Sequence, residues 1–353
     1  MKTRVLGKDL TVSAVGLGCM GFSHASGAPT EKSVAVKTLR EAYEMGYTFF
    51  DTAECYTGVN PDGSTSYNEE LVGEALRDVR DKVVIATKCG VHHAPDQSLI
   101  LDSSPATIRA SVEGSLKRLG IDAIDLYYQH RIDPDVSPEE VAGTMADLIK
   151  EGKIRHWGIS ETTEDYLRRA HAVCPVTAVE NRYSLMARWH ESLFPVLEEL
   201  GVGFVAFSPM ANGFLSGAYT VDSKFEPGTD YRSRMPQYTP EGFEKSRALM
   251  ELLGRLAEEK NATPAQISMA WMLCKKPYIV PIPGSRKIER LRENLGAGEV
   301  RLSCEEIATI DTALDGMELP VFGGSKINMC AHTFTYILKN FLELLFCGKR
   351  VKI

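Results

Sequence analysis

Short apolar runs alternate with longer amphipathic stretches through most of the chain. The runs near 12–18, 47–52, 83–88, 123–129, 154–159, 177–183, 203–208 and 279–283 are rich in Val, Ile, Phe and Tyr and too short for helices. They predict strands buried on both faces, the habit of a parallel sheet. The stretches near 31–45, 68–79, 105–119, 138–151, 163–173, 190–200, 243–260 and 286–296 predict helices, with extra ones near 264–275 and 303–314. Several starts carry their own markers: Ser104-Pro105, Ser137-Pro138 with Glu140, Thr263-Pro264 with Gln266, and Ser303 with Glu306. Each supplies a capping oxygen, and most add a proline where no amide donor is needed or a side chain that reaches back to the cap. Ahead of the first strand, Arg4 to Val12 reads as a hairpin turned at Gly7. The strict strand–helix order without a polar linker predicts an α/β fold, a single (β/α)8 TIM barrel over residues 1–326 with an N-terminal hairpin and extra C-terminal helices.

From Ile327 the character changes abruptly to an apolar tail, 327–353, in which Phe341, Leu344 and Leu345 fall on one helical stripe. Packing on the barrel is the first reading of that stripe, with an oligomer or membrane-surface contact as alternatives. No pattern fixes an oligomeric state.

The net charge of −7 and pI near 5.7 disfavour a nucleic-acid partner, whose phosphates the mean field would repel. Eight cysteines lie far apart with no CxxC pair, which predicts reduced thiols and a cytoplasmic protein. No signal-length apolar core or membrane span is expected. Adjacent His92 and His93 lack the carboxylates or cysteines of a metal site, so they read as solvated rim groups and no metal is predicted. Gly16-Leu17-Gly18-Cys19-Met20-Gly21 matches GxGxxG, but no helix can start directly after it, so the glycines read as a turn at the barrel mouth. Gly58 to Thr65 has the glycine spacing of a phosphate loop, with Ser64 where a lysine is required. It is rejected as a nucleotide site.

Polar groups that end the apolar runs carry the chemistry. Asp51 closes the run before Tyr56, Lys88 ends VVIATK, and His130 ends AIDLYYQH. One sheet would bring all four to the same C-terminal mouth. This pattern resembles the aldo-keto reductases over about residues 3 to 325: an Asp and a Tyr five residues apart, a strand-end Lys and a strand-end His. The resemblance implies that Tyr56 is the general acid protonating a substrate carbonyl oxygen during hydride transfer. Lys88 is expected to lower the Tyr56 pKa, Asp51 to keep the ammonium charged, and neutral His130 to orient the substrate.

It also implies an NADP(H) site. Ile279 to Asn294 ends a strand, turns through Gly284 and Ser285, and opens a helix carrying Arg286, Lys287, Arg290, Glu293 and Asn294. Amides and a hydroxyl beside guanidinium groups suit the adenosine 2′-phosphate, with the adenine alongside. Ser160 and Glu180 match residues that hold the nicotinamide carboxamide; glutamine is usual at the second position, and Glu180 reads equally as a residue turned away in a salt bridge, with Arg182 available to pair with it. Phe207 takes the place of an aromatic, usually tyrosine, that stacks on the ring, with Ser208 following it. Met210 and Asn212 depart from the family's usual leucine and glycine. The implied function is NADPH-dependent reduction of a small-molecule aldehyde or ketone, with its substrate left open. A nicotinamide-binding regulatory subunit with little turnover is the alternative, and a Schiff-base lyase using Lys88 is a third reading.

Overall fold

The computed structural model describes residues 2–94 and 98–323. A hairpin opens the chain, Thr3–Leu6 against Leu10–Ser13, with Gly7 at φ 61° in its turn. Eight parallel strands follow among the described residues: β1 (Leu17–Gly18), β2 (Phe49–Asp51), β3 (Val84–Cys89), β4 (Ile124–Gln129), β5 (Ile154–Ser160), β6 (Ala178–Arg182), β7 (Gly203–Phe207) and β8 (Ile279–Pro281). They pair in chain order, and the curled sheet is surrounded by helices in the (β/α)8 arrangement. The helices are α1 (Lys32–Met45), α2 (Asn68–Leu76), α3 (Pro105–Leu119), α4 (Pro138–Lys150), α5 (Glu164–Val173), α6 (Phe194–Leu200), α7 (Pro240–Lys260), α8 (Pro264–Lys275), α9 (Ile288–Gly296) and α10 (Cys304–Asp315).

Closure explains the glycines. Gly16 N donates to Pro281 O at 2.9 Å and Gly18 N to Pro283 O at 3.3 Å, joining β1 to the β8 segment. A Cβ on Gly18 would lie 2.8 Å from Ile282 O, and one on Gly16 would lie 2.6 Å from the Phe49 ring. These glycines therefore permit close backbone approach, not the mouth turn read from sequence; neither has positive φ.

The barrel interior changes chemistry along its axis. Leu6, Leu10 and Val12 of the hairpin plug the N-terminal end, packed with Phe49, Ala86, Leu126, Ala178 and Val205. Side chains on one strand face recur every second residue. One step further up, the same inward rows reach Asp51, Lys88, Tyr128, Glu180 and Phe207, and two steps beyond Leu126 and Ala178 they reach His130 and Arg182. An apolar floor thus supports a polar mouth. Outside the strands, a second core of buried residues, Trp157 and Trp271 among them, seals the sheet against the helices.

Several elements differ from the sequence reading. The run 12–18 is split, because its first residues pair in the hairpin and only Leu17–Gly18 joins the barrel. The 190–200 stretch opens with a 3-10 turn, Trp189–Leu193, before α6, while α7 starts at Pro240 behind its Thr239 cap. Two mouth hairpins add to the predicted elements, Thr57–Val59 with Thr65–Tyr67 and Val91–His93 with Leu99–Leu101. Their strands are short, and their polar tips mask the alternation. The rejected phosphate-loop stretch is the first of these hairpins. No helix among the described residues is long and apolar enough to cross a membrane. The 327–353 tail lies outside the described residues.

Gly18→Ala should destabilise the fold by about 1–3 kcal/mol, because the added methyl meets backbone and not a movable side chain. Urea unfolding followed by tryptophan fluorescence measures this; an unchanged midpoint would show that the β1–β8 seam is loose.

Candidate active site

Three buried side chains form the base of the mouth. Lys88 Nζ lies 2.5 Å from Asp51 Oδ1, 2.8 Å from Thr52 O and 3.4 Å from Glu180 Oε1. Asp51, Lys88 and Glu180 come from β2, β3 and β6, so only closure of the barrel brings them together. Glu180 therefore faces the lysine, and not Arg182 as the salt-bridge reading expected.

Tyr56 sits above this cluster. Its ring centroid is 5.2 Å from Lys88 Nζ, and the His130 ring stands edge-on to it at 5.7 Å. Asp51, Tyr56, Lys88 and His130 thus share one pocket. The Tyr56 loop is short and strongly tied: Tyr56 O accepts from Ser23 Oγ at 2.8 Å and from Asn68 N at 3.1 Å. Asn68 opens α2 and is buried. Its Nδ2 donates to Cys19 O at 2.9 Å and Ser23 Oγ at 2.7 Å, while its Oδ1 accepts from Thr52 Oγ1 at 2.7 Å. One amide therefore links the segments that follow β1 and β2.

Burial decides the protonation states. It works against the Lys88 charge, but Asp51, Glu180 and Tyr56 outweigh it and hold the ammonium above the ordinary lysine range. Burial drives His130 well below its ordinary range, helped by Arg131 and Lys88, so the imidazole is neutral. Cys55 Sγ lies 3.4 Å from His130 Nδ1, and burial pushes that thiol up to about 12. In the tautomer where this thiol donates to Nδ1, the ring proton sits on Nε2. For Tyr56 the sequence expectation needs correction. Lys88 does pull its pKa down, but burial, with Asp51 and Glu180, pushes harder and keeps the phenol protonated.

The residues expected around a cofactor line the same mouth and the β8–α9 turn. Ser160 ends β5, and its Oγ accepts from Arg131 Nη1 at 2.9 Å. Phe207 ends β7, and Ser208 beyond it has φ 50°. Glu161, Ala211 and Asn212 share that left-handed region, so strained backbone collects at the mouth ends of β5 and β7. Gly284 packs against Gly18, and Ser285 Oγ accepts from Lys287 N at 3.1 Å. The helix begins at Ile288, later than expected, so Arg286 precedes it. Arg286 donates to Ser26 O at 2.8 Å and Ala28 O at 3.1 Å, bridging to the loop after β1. Arg290 pairs with Glu293 at 2.5 Å, and Asn294 is buried with Nδ2 unpartnered. A surface cleft of about 610 Å3 beside α9 is lined by Lys287, Arg290 and Arg292, by Glu289 and Glu293, and by Thr263 and Gln266.

Sequence reasoning missed several residues here. Arg131 and Arg182 hold their guanidinium carbons 5.7 and 4.9 Å from the Phe207 ring centroid. His24, far away in sequence, lies nearly parallel to Tyr56 at 6.0 Å and meets His93 at 5.0 Å and Tyr231 at 5.8 Å. His93 is consequently half-buried at the pocket, whereas the sequence placed it with His92 as a solvated rim group. Arg182, two residues beyond Glu180 on one strand face, was legible by strand parity, whereas Arg131 was not, because parity turns the residue after inward-facing His130 to the other face. His24 and Tyr231 lie on irregular loops and carried no such signal.

A profile described as the Aldo/keto reductase family matches residues 14–315. A probable aldo-keto reductase 1 of Glycine max is 39% identical over 305 residues, covering 86% of each chain. A glycerol dehydrogenase of Gluconobacter oxydans is 28% identical with a TM-score of 0.77, over 92% of this chain and 98% of its own. The holo form of an aldo-keto reductase of Bacillus halodurans gives 28% and 0.70, over 92% and 99%.

Replacing Asn68 by alanine should cost about 3 kcal/mol, since Cys19 O, Ser23 Oγ and Thr52 Oγ1 each lose a buried hydrogen bond, and Thr52 Oγ1 keeps no other. Differential scanning calorimetry tests this; a melting point within about 2 °C of the parent would mean water replaces the amide at little cost.

Proposed function

The chain belongs to the aldo/keto reductase family and is an oxidoreductase, and from that premise we propose that it reduces a small aldehyde or ketone to the alcohol with NADPH in the cytoplasm. The observation carrying this reading is a protonated Tyr56 phenol set between a buried Lys88–Asp51 pair and a neutral imidazole. That set of groups suits donation of a proton to an oxygen that gains negative charge.

The residues present fit the cofactor. Asn294 Nδ2 is a buried polar atom without a partner, and α9 begins without a side-chain cap, leaving amides for an anion. Lys287, Arg290 and Arg292 in the adjacent cleft suit the extra phosphate of NADP(H). Ser160 and Glu180, register partners on β5 and β6, would hold the carboxamide, and Phe207 would offer a ring face. Bound there, the reduced nicotinamide supplies a hydride to the carbonyl carbon.

The protein's own groups do the rest. His130 Nε2–H donates to the substrate oxygen and fixes its direction while the imidazole stays neutral. Tyr56 O–H gives its proton to that oxygen as the hydride arrives, and the resulting phenolate is stabilised by the Lys88 ammonium 5.2 Å from its ring centroid. Asp51 keeps that ammonium aimed and charged. The apolar floor below Lys88 keeps bulk water from screening the pair.

The Schiff-base reading is disfavoured, because imine formation needs a neutral amine and Lys88 meets Asp51, Thr52 O and Glu180 as a charged ammonium. A purely regulatory nicotinamide-binding role would not require Tyr56 and His130 together over that pair.

Tyr56→Phe should lower carbonyl reduction by about a thousandfold while NADPH binding stays within about threefold, since only the proton donor is lost. A panel of aldehydes followed by NADPH absorbance, with cofactor titration by fluorescence, measures both; near-parental turnover would exclude Tyr56 as the acid. Lys287→Ala combined with Arg290→Ala should weaken NADPH by about tenfold or more and NADH little. Equal losses for the two cofactors would assign the cleft another role.

A further inference from the structure

The floor of the pocket contains two carboxyls and a single ammonium. Asp51 and Lys88 are 2.5 Å apart and Glu180 lies 3.4 Å from the same nitrogen, all three with almost no solvent exposure. Asp51 Oδ2 and Glu180 Oε2 are both buried with no N–H or hydroxyl donor, and the two carboxyls meet each other. If both carboxyls were ionised, the cluster would hold a net negative charge in a dry interior, with two acceptor oxygens left bare. One proton removes that charge and lets one carboxyl donate. Asp51 has the shorter contact with Lys88, so the proton belongs on Glu180.

The groups facing Glu180 come from every neighbouring element. Burial opposes its ionisation most, and Asp51 on β2 adds to that; Lys88 on β3 and Arg131 beyond β4 favour it. Tyr128 on β4 and Tyr56 in the β2 loop stay protonated close by. The balance leaves Glu180 at about 8, close enough to neutrality for one nearby charge to tip it. Its strand register places it beside Ser160, at the carboxamide end of the proposed nicotinamide position. With its proton shared toward Asp51, Glu180 meets that position as an uncharged group; without it, the residue is an anion that offers acceptors only.

Resting on that cofactor assignment, we propose that Glu180 is a proton-bearing residue that discriminates the redox state of the nicotinamide: the neutral acid accompanies the uncharged reduced ring, and the carboxylate accompanies the positively charged oxidised ring. When NADP+ binds, the Glu180 O–H bond breaks and the proton leaves to solvent, so the new negative charge compensates the ring. By linkage, raising the pH strengthens NADP+ relative to NADPH.

Calorimetric titration in two buffers of different ionisation enthalpy counts the protons released. At about pH 7.5, wild-type protein should release about half a proton more with NADP+ than with NADPH. The two cofactors share the adenosine end, so the difference reports the nicotinamide alone. Glu180→Gln should abolish that difference. The ratio of the two dissociation constants should change about tenfold between about pH 6.5 and 9 in the parent and stay flat in the variant. Equal proton release with both cofactors in wild-type protein would overturn the proposal without any variant, and a difference that persists in a folded Glu180→Gln protein would assign the proton to another group. If neither cofactor binds, the cofactor assignment fails first and this inference with it.

Discussion

A buried ammonium is the constraint around which the pocket is arranged. Lys88 has no contact with solvent, and stripping such a charge of water costs several kcal/mol unless its partners are close and well aimed. The barrel meets that need with Asp51, Thr52 O and Glu180. Because these come from three strands, the site can exist only in the closed fold. The lysine then influences its surroundings: it opposes the upward push of burial on Tyr56 and helps keep His130 neutral. Removing either Asp51 or the barrel floor would leave a charge that this interior cannot accommodate.

Support for the cluster is apolar below and polar to the side. The N-terminal hairpin closes the barrel bottom with Leu6, Leu10 and Val12, so the inward rows become polar only near the mouth. Laterally, Asn68 ties the segments after β1 and β2, and Tyr56 O is held by Ser23 and the Asn68 amide. The strained residues Glu161, Ser208, Ala211 and Asn212 lie at the opposite side, after β5 and β7. Rigid positioning of the proton donor and backbone strain where the cofactor is proposed to bind therefore occupy different walls of one mouth.

Two histidines from separate mouth segments and two arginines complete the pocket. His24 and His93 flank Tyr56, while Arg131 and Arg182 approach Phe207. Burial also holds Arg182 down to about 10 with Nη1 unpartnered. Cations on the Phe207 side and neutral imidazoles on the Tyr56 side give the two walls different electrostatic character, suited to a charged cofactor and a neutral carbonyl group respectively.

Local pattern was enough for the alternating strands and helices, the capped helix starts at Ser137, Thr263 and Ser303, and the hairpin at Gly7, because each depends on periodicity or capping within a few residues. The strand-end positions of Asp51, Lys88 and His130 were legible for the same reason. Tertiary structure alone decided that Gly16 and Gly18 serve barrel closure, that His24 reaches Tyr56, and that Glu180 turns to Lys88 instead of Arg182. It also reversed the expected direction for Tyr56, since burial is a sum over the whole surrounding fold while the lysine's effect is one pair. Periodicity specifies which face of a strand a side chain takes; which side chains then meet depends on register and closure among strands distant in the chain.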